Sequence, residues 1–215
     1  MMHPILFDLD GTLVDTAHDL GAALNIQRER HGLPALSHAM IRPVASHGSR
    51  GLLALGFNLM PADAYFLSMR DEYLTIYEEV LINNPVLFEG TAAVLEAIEA
   101  KGAVWGIVTN KPRRYTEPIV RALDLEQRAA VVVCGDDAAR PKPYPDTLLM
   151  ACEKIQQAAG NCIYIGDAAR DIEAGIAAGM RTGIALYGYL DVTDQPEEWG
   201  ADFMIKHPNE ILHLI

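Results

Sequence analysis

The stretch "HPILFDLDGTLVDT", His3–Thr16, sets an apolar run, Ile5-Leu6-Phe7, directly against two carboxylates, Asp8 and Asp10. In an extended strand, side chains two residues apart point to the same side. Asp8 and Asp10 therefore crowd each other at the end of a buried strand. Like charges held that close, partly out of water, repel or shift their pKa values. Gly11 follows at once and lets the chain turn. The pair is costly unless something at that strand end needs it.

Working outward, further short apolar runs read as buried parallel strands: "VWGIVTN", "AVVVCG", "NCIYIGD" and "TGIALYG". Amphipathic helical patterns separate most of them: "TAAVLEAIEAKG", "TEPIVRALDL", "PDTLLMACEKIQQA" and "RDIEAGIAAGM". Strand–helix alternation predicts an α/β fold with a doubly wound parallel sheet. Ligands of such sheets bind beyond the carboxyl ends of the strands.

The segment from Thr16 to Asn83 breaks this alternation. It reads as helices: "DLGAALNIQRERHG", "RGLLALGF" and "ADAYFLSMRDEYLTIYEEVL". It follows the first strand before any crossover helix returns. The expected division is a sheet domain over 1–15 and 84–215 with an inserted helical cap over 16–83. The hinges would be "VDTAH" and "NNPVLFEG". Tyr65, Phe66, Met69 and Tyr73 read as core positions of the inserted helices.

Composition narrows the function. The chain has 215 residues, half of them apolar, and a formal net charge of −12. That balance argues against nucleic acid as a partner, because phosphate backbones recruit Lys and Arg. An anionic substrate would need local cations or a metal. The three cysteines form no CxxC pair and sit in apolar settings, as buried free thiols would. No basic n-region opens the chain and no apolar run is long enough for a bilayer. A cytoplasmic protein without membrane partners is expected, as a monomer or homodimer.

Four polar clusters fall at or just beyond predicted strand ends. They are Asp8-Leu9-Asp10-Gly11-Thr12; Thr109-Asn110-Lys111; "RPKPYP" around Lys142; and "YIGDAARD" with Asp167 and Asp171. Each alone has an ordinary explanation: a DG turn, a helix cap, a loop lysine, a helix-start carboxylate. Together they share one sheet edge. Asp8, Asp10, Asp167 and Asp171 cannot converge there uncompensated. A hard divalent cation resolves the conflict, and Mg2+ suits oxygen ligands. Metal, lysine, hydroxyl and backbone amides make a phosphate site.

In this order, "DLDGT", "VTN", "RPKP" and "GDAARD" resemble the haloacid dehalogenase-like phosphatases across essentially the whole chain. The resemblance implies a Rossmann-like core with a helical cap, and Mg2+-dependent hydrolysis of a small phosphorylated metabolite. Asp8 would be the nucleophile, forming an aspartyl-phosphate. Asp10 would be the acid–base, and Thr109 and Lys142 would hold the phosphoryl group. Asp8, the Asp10 carbonyl and Asp167 would hold the metal, with Asp171 supporting it through water or steadying Lys142. Asn110 would line the substrate entry, and His47 and Arg50 of the cap would meet the substrate. Overall the chain is similar to the phosphoglycolate phosphatase-like branch. The segments "WGIVTNKPRRYTEPIV", "YGYLDVTDQPEEWGAD" and "HPNEI" are similar to N-acetylmuramic acid 6-phosphate phosphatases. A sugar-phosphate mutase like β-phosphoglucomutase would use the same four clusters and is the alternative. It would have to keep water from the phosphoenzyme.

Overall fold

The computed structural model describes residues 3–214. In chain order the elements are β1 (Ile5–Phe7), β2 (Val14–Asp15), α1 (Ala17–Arg30), α2 (His38–Ile41), α3 (Gly48–Phe57) and α4 (Phe66–Val80). They continue as β3 (Val86–Leu87), α5 (Thr91–Ala100), β4 (Trp105–Val108), α6 (Arg113–Ala122), β5 (Val132–Val133), α7 (Asp146–Lys154), β6 (Ile163–Gly166), α8 (Ala169–Ala178), β7 (Arg181–Ala185) and β8 (Phe203–Ile205). A 3-10 turn, Arg42–His47, joins α2 to α3.

Six strands form one sheet in the order β5-β4-β1-β6-β7-β8, and each neighbouring pair is parallel. β1 lies inside it, between β4 and β6, with Phe7 level with Ile107 and Ile165. Its flanking side chains obey the period of two. Ile5 and Phe7 join one apolar cluster with Trp105, Ile107, Ile163 and Ile165. Leu6 joins the other, with Val108, Tyr164 and residues of α7 and α8. Both faces of the sheet are thus covered, as the continuous apolar strands required.

The helical segment leaves and returns through a two-stranded antiparallel ribbon, Val14 opposite Leu87 and Asp15 opposite Val86. The ribbon falls within the two stretches expected as hinges. Asp19, buried in the first turn of α1, accepts hydrogen bonds from the backbone and side chain of Asn84 at 3.0 and 3.2 Å. The departing and returning chains are thereby tied together. α1 packs on α4 and α3, burying Leu20, Leu24, Tyr73, Ile76 and Tyr77.

The short elements β2, β3 and α2 were not in the sequence reading, and further details differ from it. β8 was not expected; its three residues carry no pattern beyond a single buried Ile205. The fourth helix begins at Phe66, because Asp63 turns back to accept from the Met60 N–H, and Tyr65 is 74% exposed rather than core. α6 begins at Arg113, a turn before "TEPIVRALDL" suggested. The backbone N–H groups of Tyr115 and Thr116 already bond the Pro112 carbonyl, and Pro118 sits inside the helix. That earlier start brings Arg114 and Tyr115 into the first helical turn. Among the described residues, no helix is long and apolar enough to cross a membrane.

Candidate active site

Asp8 follows β1, Thr109 follows β4 and Asp167 follows β6, so three adjacent parallel strands deliver them to one edge. Asp171 comes from the first turn of α8 and Lys142 from the loop before α7. The carboxylates of Asp8, Asp167 and Asp171 converge, with one oxygen from each lying within 4.8 Å of the others. All three side chains are buried.

Lys142 is the positive centre of this cluster. Its Nζ lies 2.6 Å from Asp171 Oδ1 and 3.1 Å from Asp8 Oδ1. It also donates to the Tyr164 hydroxyl at 2.6 Å and to the Val108 carbonyl at 3.1 Å. The Lys142 side chain has no exposed surface. Its loop is clamped by Asn110, whose amide donates to the Lys142 carbonyl and accepts from the Lys142 N–H, both at 2.8 Å. Asn110 lines the cavity, and its side chain is committed to positioning Lys142.

One ammonium among three carboxylates leaves a charge imbalance, and the acids divide accordingly. Burial works to raise Asp171, but Lys142 and Arg170 outweigh it, and the Ala168 N–H helps hold that carboxyl below its usual range. Burial pushes Asp8 up, against the pull of Lys142. Asp167 is pushed up to about 7 by burial, then by Asp171 and Asp8. Asp167 Oδ2 accepts from Ser46 Oγ at 2.7 Å and from the Tyr189 N–H at 2.9 Å. Its other oxygen, Oδ1, is buried without a hydrogen-bond partner. An orphaned carboxylate oxygen facing two further acids suits a divalent cation, which prefers oxygen ligands of this kind. Gly11 makes the approach possible: it adopts φ +81°, and a Cβ there would run into Asp167 Oδ2.

Asp10 turns away from this triad. Its Oδ1 accepts from Thr16 Oγ1 and lies 2.8 Å from Lys111 Nζ. Thr109 is buried, and its Oγ1 accepts from the Lys111 N–H at 3.2 Å.

A cavity of about 560 Å³ opens above this floor. Asp8, Asp10 and Thr109 line it, and α1, α3, α4 and the turn before α3 form its helical wall. His47 and Arg50 are on that wall, and both are exposed. Solvent reaches the His47 side chain, but partial burial against the wall, then Arg170, lowers its pKa, whereas Asp194 and Asp191 act the other way.

Sequence reading missed several wall residues. Ser46 reaches across to Asp167, and Arg170 Nη2 donates to the Ser46 carbonyl at 2.8 Å. These contacts link residues 121 and 124 positions apart, which no local pattern reveals. Arg170 lay inside the "GDAARD" cluster and so was within reach of a closer reading. Arg70, Arg114, Tyr77 and Tyr115 also line the cavity. Helical periodicity marks Tyr77 only as apolar, and Tyr115 lies before the helix that "TEPIVRALDL" suggested.

Residues 5–185 match the family model described as haloacid dehalogenase-like hydrolase. The chain is 40% identical over 213 residues to an N-acetylmuramic acid 6-phosphate phosphatase of Pseudomonas aeruginosa, covering 98% of this chain and 93% of the relative. It is 43% identical over 207 residues to a phosphoglycolate phosphatase of Xanthomonas campestris pv. campestris, covering 96% and 93%. The crystal structure of a predicted phosphoglycolate phosphatase from Haemophilus somnus superposes with a TM-score of 0.83 at 25% identity, covering 99% of this chain and 97% of that one.

Proposed function

The chain belongs to the haloacid dehalogenase-like hydrolase family, and on that premise we propose that it is a Mg2+-dependent phosphatase of a small phosphate monoester. One observation carries this reading: Asp8, Asp167 and Asp171 converge beneath the cavity around Lys142, with Asp167 Oδ1 left without a partner.

Asp8, Asp167 and the carbonyl of Asp10 would hold Mg2+, and Asp171 would support it through water while anchoring Lys142. When bound, the cation neutralises the crowded carboxylates and screens the phosphate charge that would otherwise repel them. A carboxylate oxygen of Asp8 attacks phosphorus, and the bond from phosphorus to the leaving oxygen breaks. Asp10 gives its proton to that oxygen. It then takes a proton from the water that attacks the aspartyl-phosphate, releasing inorganic phosphate and restoring Asp8. Lys142 and the Thr109 hydroxyl hold the transferring group in line. Asp10 Oδ1 is occupied by Thr16 and Lys111, which leaves Oδ2 to carry the proton.

In this reading residues 16–83 act as a cap over the core of 1–15 and 84–215, closing to exclude bulk water. His47 and Arg50 meet polar groups of the substrate from the cap. The two named relatives act on phosphoglycolate and N-acetylmuramic acid 6-phosphate, and both compounds carry a carboxylate besides the phosphate. We take one of these as the substrate. The site is cytoplasmic in this reading, consistent with the free, buried Cys134, Cys152 and Cys162.

The test is a panel of phosphoglycolate, N-acetylmuramic acid 6-phosphate and hexose phosphates, compared by kcat/KM with released phosphate as readout. Phosphate release that requires Mg2+ and Asp8 is expected. Full turnover after chelation, or by Asp8→Asn, would refute the mechanism. Net sugar-phosphate isomerisation without phosphate release would favour a mutase.

A further inference from the structure

The cavity is polar at both ends. Its floor holds the phosphate chemistry described above, and its mouth holds Arg70 of α4 and Arg114 of α6. Both arginines are exposed, and among the described residues neither makes an ion pair. Arg70 Nε donates to Ser49 Oγ at 3.3 Å. The Arg114 guanidinium lies over the Tyr115 ring, 4.4 Å from its centroid. Both guanidinium charges act on Tyr115, with Glu78 the opposing charge nearby.

Tyr115 is 2% exposed and lines the cavity, and the Arg114 side chain is its polar neighbour. Tyr77, its neighbour at 5.6 Å between ring centroids, is equally buried on the cavity wall, and its hydroxyl has no hydrogen-bond partner. Buried polar groups are nearly always paired, so an orphan on a cavity wall calls for a ligand. Unpaired guanidiniums beside the tyrosine pair specify the charge of that ligand, since Arg recognises carboxylates through paired donors. Arg50 is the weaker candidate for this task, because it stands at the start of α3 beside His47 and not beside the tyrosine pair.

Resting on the phosphatase reading, we propose that Arg70 and Arg114, together beside Tyr115, form a second anion subsite that takes the carboxylate of the leaving group. Phosphate sits on the buried floor and carboxylate at the exposed mouth. The substrate class is therefore a phosphorylated sugar acid, with a spacer long enough to run between them. A cavity of about 560 Å³ has room for on the order of twenty waters. A two-carbon acid would leave most of it unfilled.

A matched pair of probes tests this: N-acetylmuramic acid 6-phosphate, and N-acetylglucosamine 6-phosphate, which lacks the lactyl carboxylate. The variants are Arg70→Ala, Arg114→Ala, their double and Arg114→Lys, with Tm as the fold control. For the double variant, KM for the carboxylated probe should rise by about ten- to a hundredfold with kcat nearly kept, as for lost uniform binding. The carboxylate-free probe should be unaffected, and Arg114→Lys should recover part of the loss. Equal effects on both probes, or none on the carboxylated one, would overturn the subsite. If the wild-type protein releases no phosphate from any probe, the phosphatase reading fails by itself. Calorimetric binding of the two probes to Asp8→Asn, with and without the double substitution, then decides the subsite alone. Tighter binding of the carboxylated probe, lost in the double variant, supports it, and equal binding of both refutes it.

Discussion

At the floor of the cavity, Lys142 has its ammonium engaged by Asp8, Asp171, Tyr164 and the Val108 carbonyl, all within 3.1 Å. At the mouth, Arg50, Arg70 and Arg114 face solvent and make no ion pair among the described residues. The two regions handle charge in opposite ways. Buried charges must be paired to be tolerated at all, so the floor is held in one arrangement. Exposed arginines keep their hydration and wait for a partner. A floor of that kind fixes a reaction, and a mouth of that kind selects what is brought to it.

The contrast can be broken most severely at Asp8. Asp8→Asn keeps the shape and removes the nucleophile, so turnover should fall by at least about a thousandfold. Tm should hold or rise, because burial already disfavours the Asp8 charge. Next comes Lys142→Met. It leaves buried Asp171 with only Arg170 to oppose its charge, and removing one partner of a buried pair costs about 3–5 kcal/mol. Denaturant unfolding should show that loss alongside lost activity. Replacing either mouth arginine by alanine should leave the unfolding midpoint nearly unchanged.

A pH series sharpens the same point. Asp167 is raised to about 7 in the folded chain, against about 3.9 for a free aspartate. Between those values the folded state binds more protons than the unfolded one. Asp167 therefore contributes stability at low pH that is lost as pH rises toward 7. In metal-free protein Tm should decline across that window on this account. Added Mg2+ should raise Tm more at pH 8 than at pH 5, since the cation takes the position the proton would hold. A Mg2+ effect independent of pH would break the link between the orphaned Asp167 oxygen and the metal.

The floor was legible in the sequence, and the mouth was not. The apolar runs ending in Asp8, Thr109 and Asp167 announced strands, and parallel strands deliver their ends to one edge. The four clusters could be brought together on that topology before any contact was known. The β2–β3 ribbon lies within "VDTAH" and "NNPVLFEG", the second of which Pro85 and Gly90 mark as a turn. The mouth depends on how α4 meets α6, and that is tertiary packing. Arg70 and Tyr77 fell inside an expected helix of the insert with nothing to mark them, and Arg114 and Tyr115 lay just before the helix that "TEPIVRALDL" suggested. Only their shared cavity distinguishes them. Ser46 was invisible for the same reason: its partner Asp167 lies 121 residues away.

The finest test lies within the mouth itself, at Arg50. This residue stood out in the sequence because it follows His47 and Ser49 in a glycine-flanked segment, whereas Arg70 and Arg114 did not. The structure ranks them the other way. Arg50 stands at the start of α3 beside His47 and not beside the tyrosine pair. An exposed cation is worth little, on the order of 0.2–1 kcal/mol. Arg50→Ala should therefore lower kcat/KM on a carboxylated phosphomonoester by less than about fivefold. The comparison is made under the same buffer and salt as Arg114→Ala. A loss at Arg50 larger than at Arg114 would move the carboxylate to the α3 side of the mouth. The floor would keep its role in that event, because none of its contacts runs through Arg50.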